Sequence, residues 1–167
     1  PSAQVIARNY KGLFLFNFAD GQFKHTLQIP NFDESSRFVA IDNDDNIWVS
    51  HPYHAVYKIN KNIYGAYKTV AYTNKNGLPS LLNNHVYKIK NEVVVATEKG
   101  IYIYNRQKNI FEPSAYYYKL LGDQSIRYLK EDKSGNIWFI HEKTLGVVDL
   151  AGKEPTKIYF PELNNKL

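Results

Sequence analysis

One segment of the sequence returns 90 positions later, and this repetition constrains the fold more than any other feature. RFVAIDNDDNIWV at residues 37–49 recurs as RYLKEDKSGNIWF at residues 127–139. Halfway between the two, HVYKIKNEVVVAT at residues 85–97 is a degenerate third copy. The repeat therefore has a period of about 45 residues, which has to be explained before any single motif is interpreted.

A second apolar run follows each copy of the first. It reads AVYKIN at 55–60, GIYIYN at 100–105 and LGVVD at 145–149, and an earlier example reads GLFLFN at 12–17. Helical solenoid repeats of similar length would show an amphipathic helical pattern, and we find none in the sequence. Short alternating runs separated by turn residues are typical of four-stranded β-propeller blades. The sequence thus predicts an all-β protein built from blades of four antiparallel strands.

The third copy has the clearest strand markers. It predicts strands at residues 86–89, 93–97 and 101–104, and a fourth strand near residues 110–118. Applied to the whole chain, the period divides one domain into a partial blade at 1–36, which begins at its second strand, and full blades at 37–82, 83–124 and 125–167. The chain thus supplies about 3.75 blades, which is fewer than most closed propellers have. Since the sequence also lacks Met, we expect a segment of a larger propeller.

Composition agrees with this interpretation and excludes several classes of protein. Aromatic residues make up 15% of the chain, which favours strands, and no apolar stretch reaches the roughly 18 residues that span a bilayer. There is no Cys, and therefore neither a disulfide nor a thiolate metal site. The net charge of +5 is scattered, without the basic run of a nucleic-acid-binding arm. It indicates either an ordinary solvated surface or an acidic ligand such as a sulfated or uronic-acid glycan.

Several residues have structural rather than chemical interpretations. Trp48 and Trp138 occupy the same place in two copies and are expected to pack between neighbouring blades. The turns at 42–46 and 132–136 faintly resemble a calcium loop, but they lack the Glu that such a loop needs, so a plain turn is favoured. Gly77, Gly100 and Gly135 are further candidates for structural positions.

The chain resembles the two-component regulator propeller repeat family over nearly its whole length. The residues that carry the resemblance are the Gly-Leu-Pro turn at 77–79, the Asp-x-x-Gly-Asn-Ile-Trp motif at 132–138, its near copy at 42–48 and the Gly-Ile strand at 100–102. The sequence departs from the family pattern in three ways. Asp45 stands where Gly is usual, His51 and His141 replace a Thr kept at Thr97, and the third copy lacks both the Asp-Gly-Asn turn and the Trp.

The resemblance implies a sensor. Such propellers typically form the periplasmic ligand-recognition region of hybrid histidine kinases and related regulators, often in gut Bacteroidetes that respond to oligosaccharides. It implies that the remaining blades and the signalling domains belong to a longer parent chain. Other members of the family belong to secretion or surface assemblies, so a protein-interaction scaffold, including a homodimer, is the alternative.

The connections of a four-stranded blade alternate between two ends of the sheet, so two sets of loops share one face. In this sequence that face would carry most of the His residues and several other polar side chains. They are an ordinary exposed loop surface or a recognition surface for a hydroxyl-rich ligand. The candidate ligand-binding residues are His51, Tyr53, His54, Asn84, His85, Lys99 and His141, with Asn83, Glu98, Ser125 and Glu142 nearby.

No motif in the sequence indicates catalysis. There is no Gly-x-Ser-x-Gly elbow and no phosphate-binding Gly loop. His51 and His54 are three residues apart, but the sequence shows no evident third metal ligand beside them. We therefore expect no catalytic residue, metal or cofactor in this segment, and neither nucleic-acid binding nor a membrane span.

Overall fold

A computed structural model describes residues 3–51 and 53–164, in which the strands form four antiparallel sheets. Sheet one has three strands and sheets two to four have four strands each. Sheet one consists of β1 (Ala3–Asn9), β2 (Gly12–Ala19) and β3 (Gln22–Gln28). Sheet two consists of β4 (Phe38–Ile41), β5 (Ile47–Ser50), β6 (Val56–Lys61) and β7 (Tyr67–Tyr72).

Sheets three and four repeat this arrangement. Sheet three consists of β8 (His85–Ile89), β9 (Glu92–Thr97), β10 (Gly100–Asn105) and β11 (Ile110–Pro113). Sheet four consists of β12 (Ile126–Glu131), β13 (Ile137–His141), β14 (Thr144–Asp149) and β15 (Thr156–Tyr159). The helical elements are α1 (Ala115–Leu121) and two 3₁₀ turns, Asn74–Asn76 and Pro161–Leu163. Within every sheet each strand pairs with the next one along the chain.

The core lies between neighbouring sheets. One apolar cluster joins sheets one and two, a second joins sheets two and three, and a third joins sheets three and four together with α1. The first strands of sheets two, three and four, β4, β8 and β12, lie beside one another. Successive sheets packed face to face, with their first strands adjacent, form the blade arrangement predicted from the repeat, so the predicted all-β blade architecture is confirmed.

An Asp and a Trp side chain build the turn between the first two strands of sheet two. Asp42 Oδ1 accepts hydrogen bonds of 2.9 Å from the N–H groups of Asp44 and Asn46, and Asp42 Oδ2 accepts one of 2.9 Å from Trp48 Nε1. Trp48 is buried in the cluster between sheets two and three. The turn at 132–136 repeats this scheme, with 3.0 Å between Trp138 Nε1 and Asp132 Oδ2. The motif is thus one hydrogen-bonded unit.

The same logic explains the degenerate third copy. Here the connection from β8 to β9 is only Lys90 and Asn91, both with positive φ, as a tight two-residue hairpin requires. Because the turn has no Asp, an indole N–H would have no carboxylate partner. Val94, an apolar residue without a donor, lies at the place of the Trp and is fully buried.

The Gly-Leu-Pro turn also has a physical reason. Gly77 has a φ of 90°, and a Cβ added to it would lie 2.0 Å from the backbone oxygen of Phe111. Leu78, the next residue, is buried between sheets two and three. Only glycine allows the connection after β7 to approach the last strand of sheet three so closely.

The fourth strand of sheet three corrects the sequence prediction. A strand was predicted near residues 110–118 and no helix was expected, but β11 ends at Pro113 and α1 begins at Ala115. The Ser114 side chain caps the helix by accepting a hydrogen bond of 3.4 Å from the Tyr117 N–H. The side chains of Tyr117, Leu120 and Leu121 are buried between sheets three and four. Their spacing of three and four residues is the helical signal that strand alternation obscured.

Candidate functional site

Two sets of connections lie at the same end of the sheets. One set joins the second and third strands of each four-stranded sheet, and in sheet one, where β1 corresponds to a second strand, it joins β1 and β2. The other set runs from the last strand of one sheet to the first strand of the next. We call this end the loop face. It consists of residues 10–11, 51–55, 98–99 and 142–143 within sheets, and residues 29–37, 73–84 and 114–125 between sheets. The antiparallel order of every sheet places these connections together.

His51 and His54 lie on the longest within-sheet connection of the loop face. Their rings are stacked, 4.0 Å apart and 6° from parallel. His51 is only 8% exposed, and its Nδ1 accepts a 3.1 Å hydrogen bond from the Tyr53 N–H. Burial lowers the pKa of His51, as does the neighbouring His54, whereas the charge of Glu34 acts in the opposite direction. Because Nδ1 accepts the Tyr53 N–H, it presents a lone pair rather than a proton at this position.

Glu34 is the functional candidate that the sequence did not reveal. Its Oε2 lies 3.6 Å from His54 Nδ1, and the side chains of both residues are partly exposed. Within residues 3–51 and 53–164, Glu34, His51 and His54 form the one group of three side chains whose donor atoms lie within 4.8 Å of one another. The sequence showed no third ligand for the two His residues because Glu34 belongs to a different sheet connection. No local spacing rule could have found it.

The position of His51 has a common structural role in two sheets. At the equivalent place in sheet three, Thr97 Oγ1 accepts a 3.0 Å hydrogen bond from the Lys99 N–H and donates one of 2.8 Å to the Gly100 carbonyl. His51 accepts from the N–H two residues ahead in the same way. His141 differs, because its Nδ1 donates to the Ser125 carbonyl at 2.8 Å. His and Thr thus alternate here because each can hydrogen-bond the backbone of an adjoining connection.

Asn84 and His85 are buried, although the sequence placed them on an exposed face. Asn84 is 0% exposed and donates from Nδ2 to the Ser80 carbonyl at 2.8 Å. His85 Nδ1 donates to the Arg127 carbonyl at 3.0 Å, while its ring packs 4.7 Å from that of Phe38. Burial lowers the pKa of His85, and the Arg127 carbonyl partly offsets this. Both side chains lie where the connection from sheet two enters sheet three, and each keeps one buried polar atom without a hydrogen-bond partner in the described residues, Asn84 Oδ1 and His85 Nε2.

Other candidate residues of the loop face are open to solvent. Tyr53 is 66% exposed, and Lys99 is exposed on the connection between β9 and β10. Near His141 lies an open polar hollow of about 550 Å³, whose lining includes Arg127, Glu142 and Lys143. Hollows of a few hundred Å³ are large enough for small ligands. The solvent-accessible side chains of the loop face are thus aromatic, cationic and carboxylate groups, which suit a ligand that forms hydrogen bonds.

Comparison with known proteins gives a fold but no family. No protein-family model matches the chain, and no curated protein matches it. Among solved structures, it is similar to the extracellular domain of a protein named as a hybrid two-component system of B. thetaiotaomicron. The TM-score is 0.63 at 18% identity, over 97% of this chain and 22% of that one. The extracellular domain of a second such system of that organism gives a TM-score of 0.63 at 19% identity, over 94% of this chain and 23% of that one.

Virginiamycin B lyase from Staphylococcus aureus is similar at a TM-score of 0.51 and 13% identity, over 93% of this chain and 55% of that one. The chain has a β-propeller fold. At these identities the similarity concerns fold alone, and the chain spans less than a quarter of the length of the two extracellular domains. In residues 3–51 and 53–164, no helix has the length and apolar character needed to cross a membrane.

Proposed function

We propose that this chain is a segment of the periplasmic, ligand-recognising propeller of a two-component regulator, and a member of the two-component regulator propeller repeat family. The supporting observation is the likeness in fold, over 97% of the chain, to an extracellular domain of such a system. The repeat motifs at 42–48, 77–79 and 132–138 support it independently. The signal passes to domains outside this segment, for which a hybrid histidine kinase is the proposed parent.

The proposed ligand is an oligosaccharide, and the positive net charge of +5 favours a uronic or sulfated one. Tyr53 offers an exposed ring for a sugar face, and Lys99 offers a cation for an acidic group. His51 holds its own connection, and His141 the neighbouring one, through backbone hydrogen bonds. Asn84 and His85 fix the entry to sheet three through their bonds to the Ser80 and Arg127 carbonyls.

We propose binding without catalysis. The chain resembles virginiamycin B lyase in fold alone, and we infer neither a catalytic residue nor a lyase reaction from this resemblance. The polar groups of the loop face are spread over several connections, and Nδ1 of both His51 and His85 is engaged by a backbone hydrogen bond.

We also propose that further blades pack on the two outermost sheets. Sheet one and sheet four both expose large apolar side chains, in contrast to sheet three. The exposed residues are Val5, Phe18, Phe23 and Leu27 on sheet one and Tyr128, Ile158 and Tyr159 on sheet four. Neighbouring blades would remove this surface from water, as they do between sheets two and three.

The test is a thermal-shift screen of the purified protein against neutral, uronic and sulfated oligosaccharides, because a ligand that binds only the folded state raises the Tm. We expect a saturable rise with one glycan class. Tyr53→Ala should weaken that binding about ten-fold, through loss of a ring contact worth about 1 kcal/mol or more.

Tyr64→Ala is the matched control, since Tyr64 is 87% exposed on the connection between β6 and β7 at the opposite end of sheet two. It should leave glycan affinity unchanged. No Tm response to any glycan, together with stable self-association in light scattering, would instead favour the assembly scaffold.

A further inference from the structure

We propose that Glu34, His51 and His54 form a zinc-binding site on the loop face. We call these three residues the His₂Glu cluster. This inference goes beyond the proposed glycan recognition and does not depend on it. The arrangement arises from two separate segments, the connection at 29–37 between sheets one and two and the connection at 51–55 within sheet two.

The donor set has the composition of a known kind of metal site. Imidazole nitrogen and carboxylate oxygen both bind Zn²⁺, and two His with one carboxylate leave a fourth position open to an oxygen ligand. All three residues offer a donor atom, and these atoms lie within 4.8 Å of one another. Ligand atoms around a tetrahedral zinc are about 3.4 Å apart for bond lengths near 2.1 Å, so the donor atoms must approach one another by up to about 1.4 Å. Because the two imidazole rings are stacked in parallel and bind a metal in the ring plane, the exposed His54 ring must also turn out of the stack to direct a nitrogen at the ion.

The two exposed members can make this shift. The side chains of His54 and Glu34 are 59% and 43% exposed, and they already approach to 3.6 Å. The Glu34 carboxylate is also hydrogen-bonded to the Tyr57 hydroxyl, so it must share this bond or give it up when it turns toward the ion. His51, the buried member, lies directly under the His54 ring and supplies the fixed side of the site.

The connection that carries His54 is one residue longer than its counterparts. The His51 N–H donates to the Ala55 carbonyl at 3.0 Å, so His51 and Ala55 close the connection and three residues separate them. The equivalent pairs Thr97–Gly100 and His141–Thr144 enclose two residues each. In the longer connection the His54 ring lies over the His51 ring.

Binding has a further cost at His51. While His51 Nδ1 accepts the Tyr53 N–H, the ring proton is on Nε2. Zinc at Nδ1 displaces the Tyr53 N–H directly, and zinc at Nε2 moves the ring proton to Nδ1, where it opposes that N–H. Coordination through either nitrogen thus gives up this hydrogen bond and couples the metal to the conformation of the connection that carries Tyr53.

The experiment is isothermal titration of ZnCl₂ into the purified protein after chelator treatment, with no glycan present. We expect saturable binding of one zinc per chain. Glu34→Gln and His54→Ala should each weaken it about ten-fold or more, since even supporting partners of a metal ligand contribute that much. His25→Ala is the matched control, because His25 is an exposed His on β3, away from the cluster.

His51→Thr tests the buried ligand without removing its structural role. In sheet three Thr97 accepts a hydrogen bond from the N–H two residues ahead, so Thr at this position can accept the Tyr53 N–H in place of the imidazole. The variant should lose zinc affinity, and a Tm of the zinc-free protein close to that of the wild type verifies that the fold is kept. Absence of saturable binding would overturn the proposal. So would binding that is unchanged by Glu34→Gln and His54→Ala, or binding that is lost only in His25→Ala. Failure of the glycan screen would not affect this result, since the titration contains no glycan.

Discussion

Individual side chains in this protein act mainly by closing turns. Asp42 is the clearest case, because one carboxylate accepts two backbone N–H groups and an indole N–H. Burial alone would raise the pKa of Asp42, but these hydrogen bonds outweigh it and hold the pKa below its ordinary value. The charged form is therefore preferred in the folded state. The charged Asp42 contributes its full stabilisation at pH values above the ordinary pKa of 3.8. This stabilisation is lost as pH falls through the lower pKa that Asp42 has in the folded state.

Asp42→Asn should lower the free energy of unfolding at pH 7 by about 1–3 kcal/mol, because the amide leaves buried donors without their charged acceptor. The difference from the wild type should shrink as pH falls from 3.8 through the lowered pKa of folded Asp42, where the wild-type carboxylate becomes protonated. Urea denaturation at pH 7 and at acid pH measures both effects. Asp45→Asn, an exposed change in the same turn, should have little effect at either pH.

At the scale of elements, close backbone contacts decide how one sheet enters the next. The connection after β7 passes within contact of β11 at Gly77, and the connection at 114–125 holds α1 against sheets three and four. Both contacts join elements of different sheets. A strand period read along the chain does not contain this information, which is why α1 was mistaken for the end of a strand.

Gly77→Ala should destabilise the protein by more than about 2 kcal/mol, because it combines a positive φ with a clash against the Phe111 carbonyl. Gly135→Ala is the comparison, since its φ of 83° is similar but a Cβ there meets nothing within 4 Å. Gly135→Ala should lower the free energy of unfolding by about 1–2 kcal/mol, because Ala must adopt the left-handed conformation without any added clash. Equal unfolding free energies for the two variants would show that the Phe111 contact relaxes without cost.

At the scale of the whole molecule, stability should be greatest where a sheet is covered on both faces. Sheet three is packed between sheets two and four, and in β9 every residue from Val93 to Thr97 is buried. The strands β3 and β15 are exposed along their whole length. Local opening costs least where few apolar contacts hold a strand.

Hydrogen exchange of the purified protein should therefore be slowest in β9 and β10 and fastest in β3 and β15. Mass spectrometry of peptides that cover each strand measures this order. Protection of β3 equal to that of β9 would mean that sheet one is covered in solution, and repetition of the measurement at several protein concentrations would show whether a second copy covers it.

The sequence by itself determined the repeat period, the strand class and the blade architecture, because a period-two apolar pattern and turn residues are local properties of the chain. It also identified the Asp-x-x-Gly-Asn-Ile-Trp motif, whose hydrogen bonds lie within seven consecutive residues. Only the tertiary structure decided which polar residues are accessible. Asn84 and His85 are buried by neighbouring sheets, and Glu34 reaches His54 from another connection. Contacts between segments depend on how sheets pack, and no spacing along one segment records that.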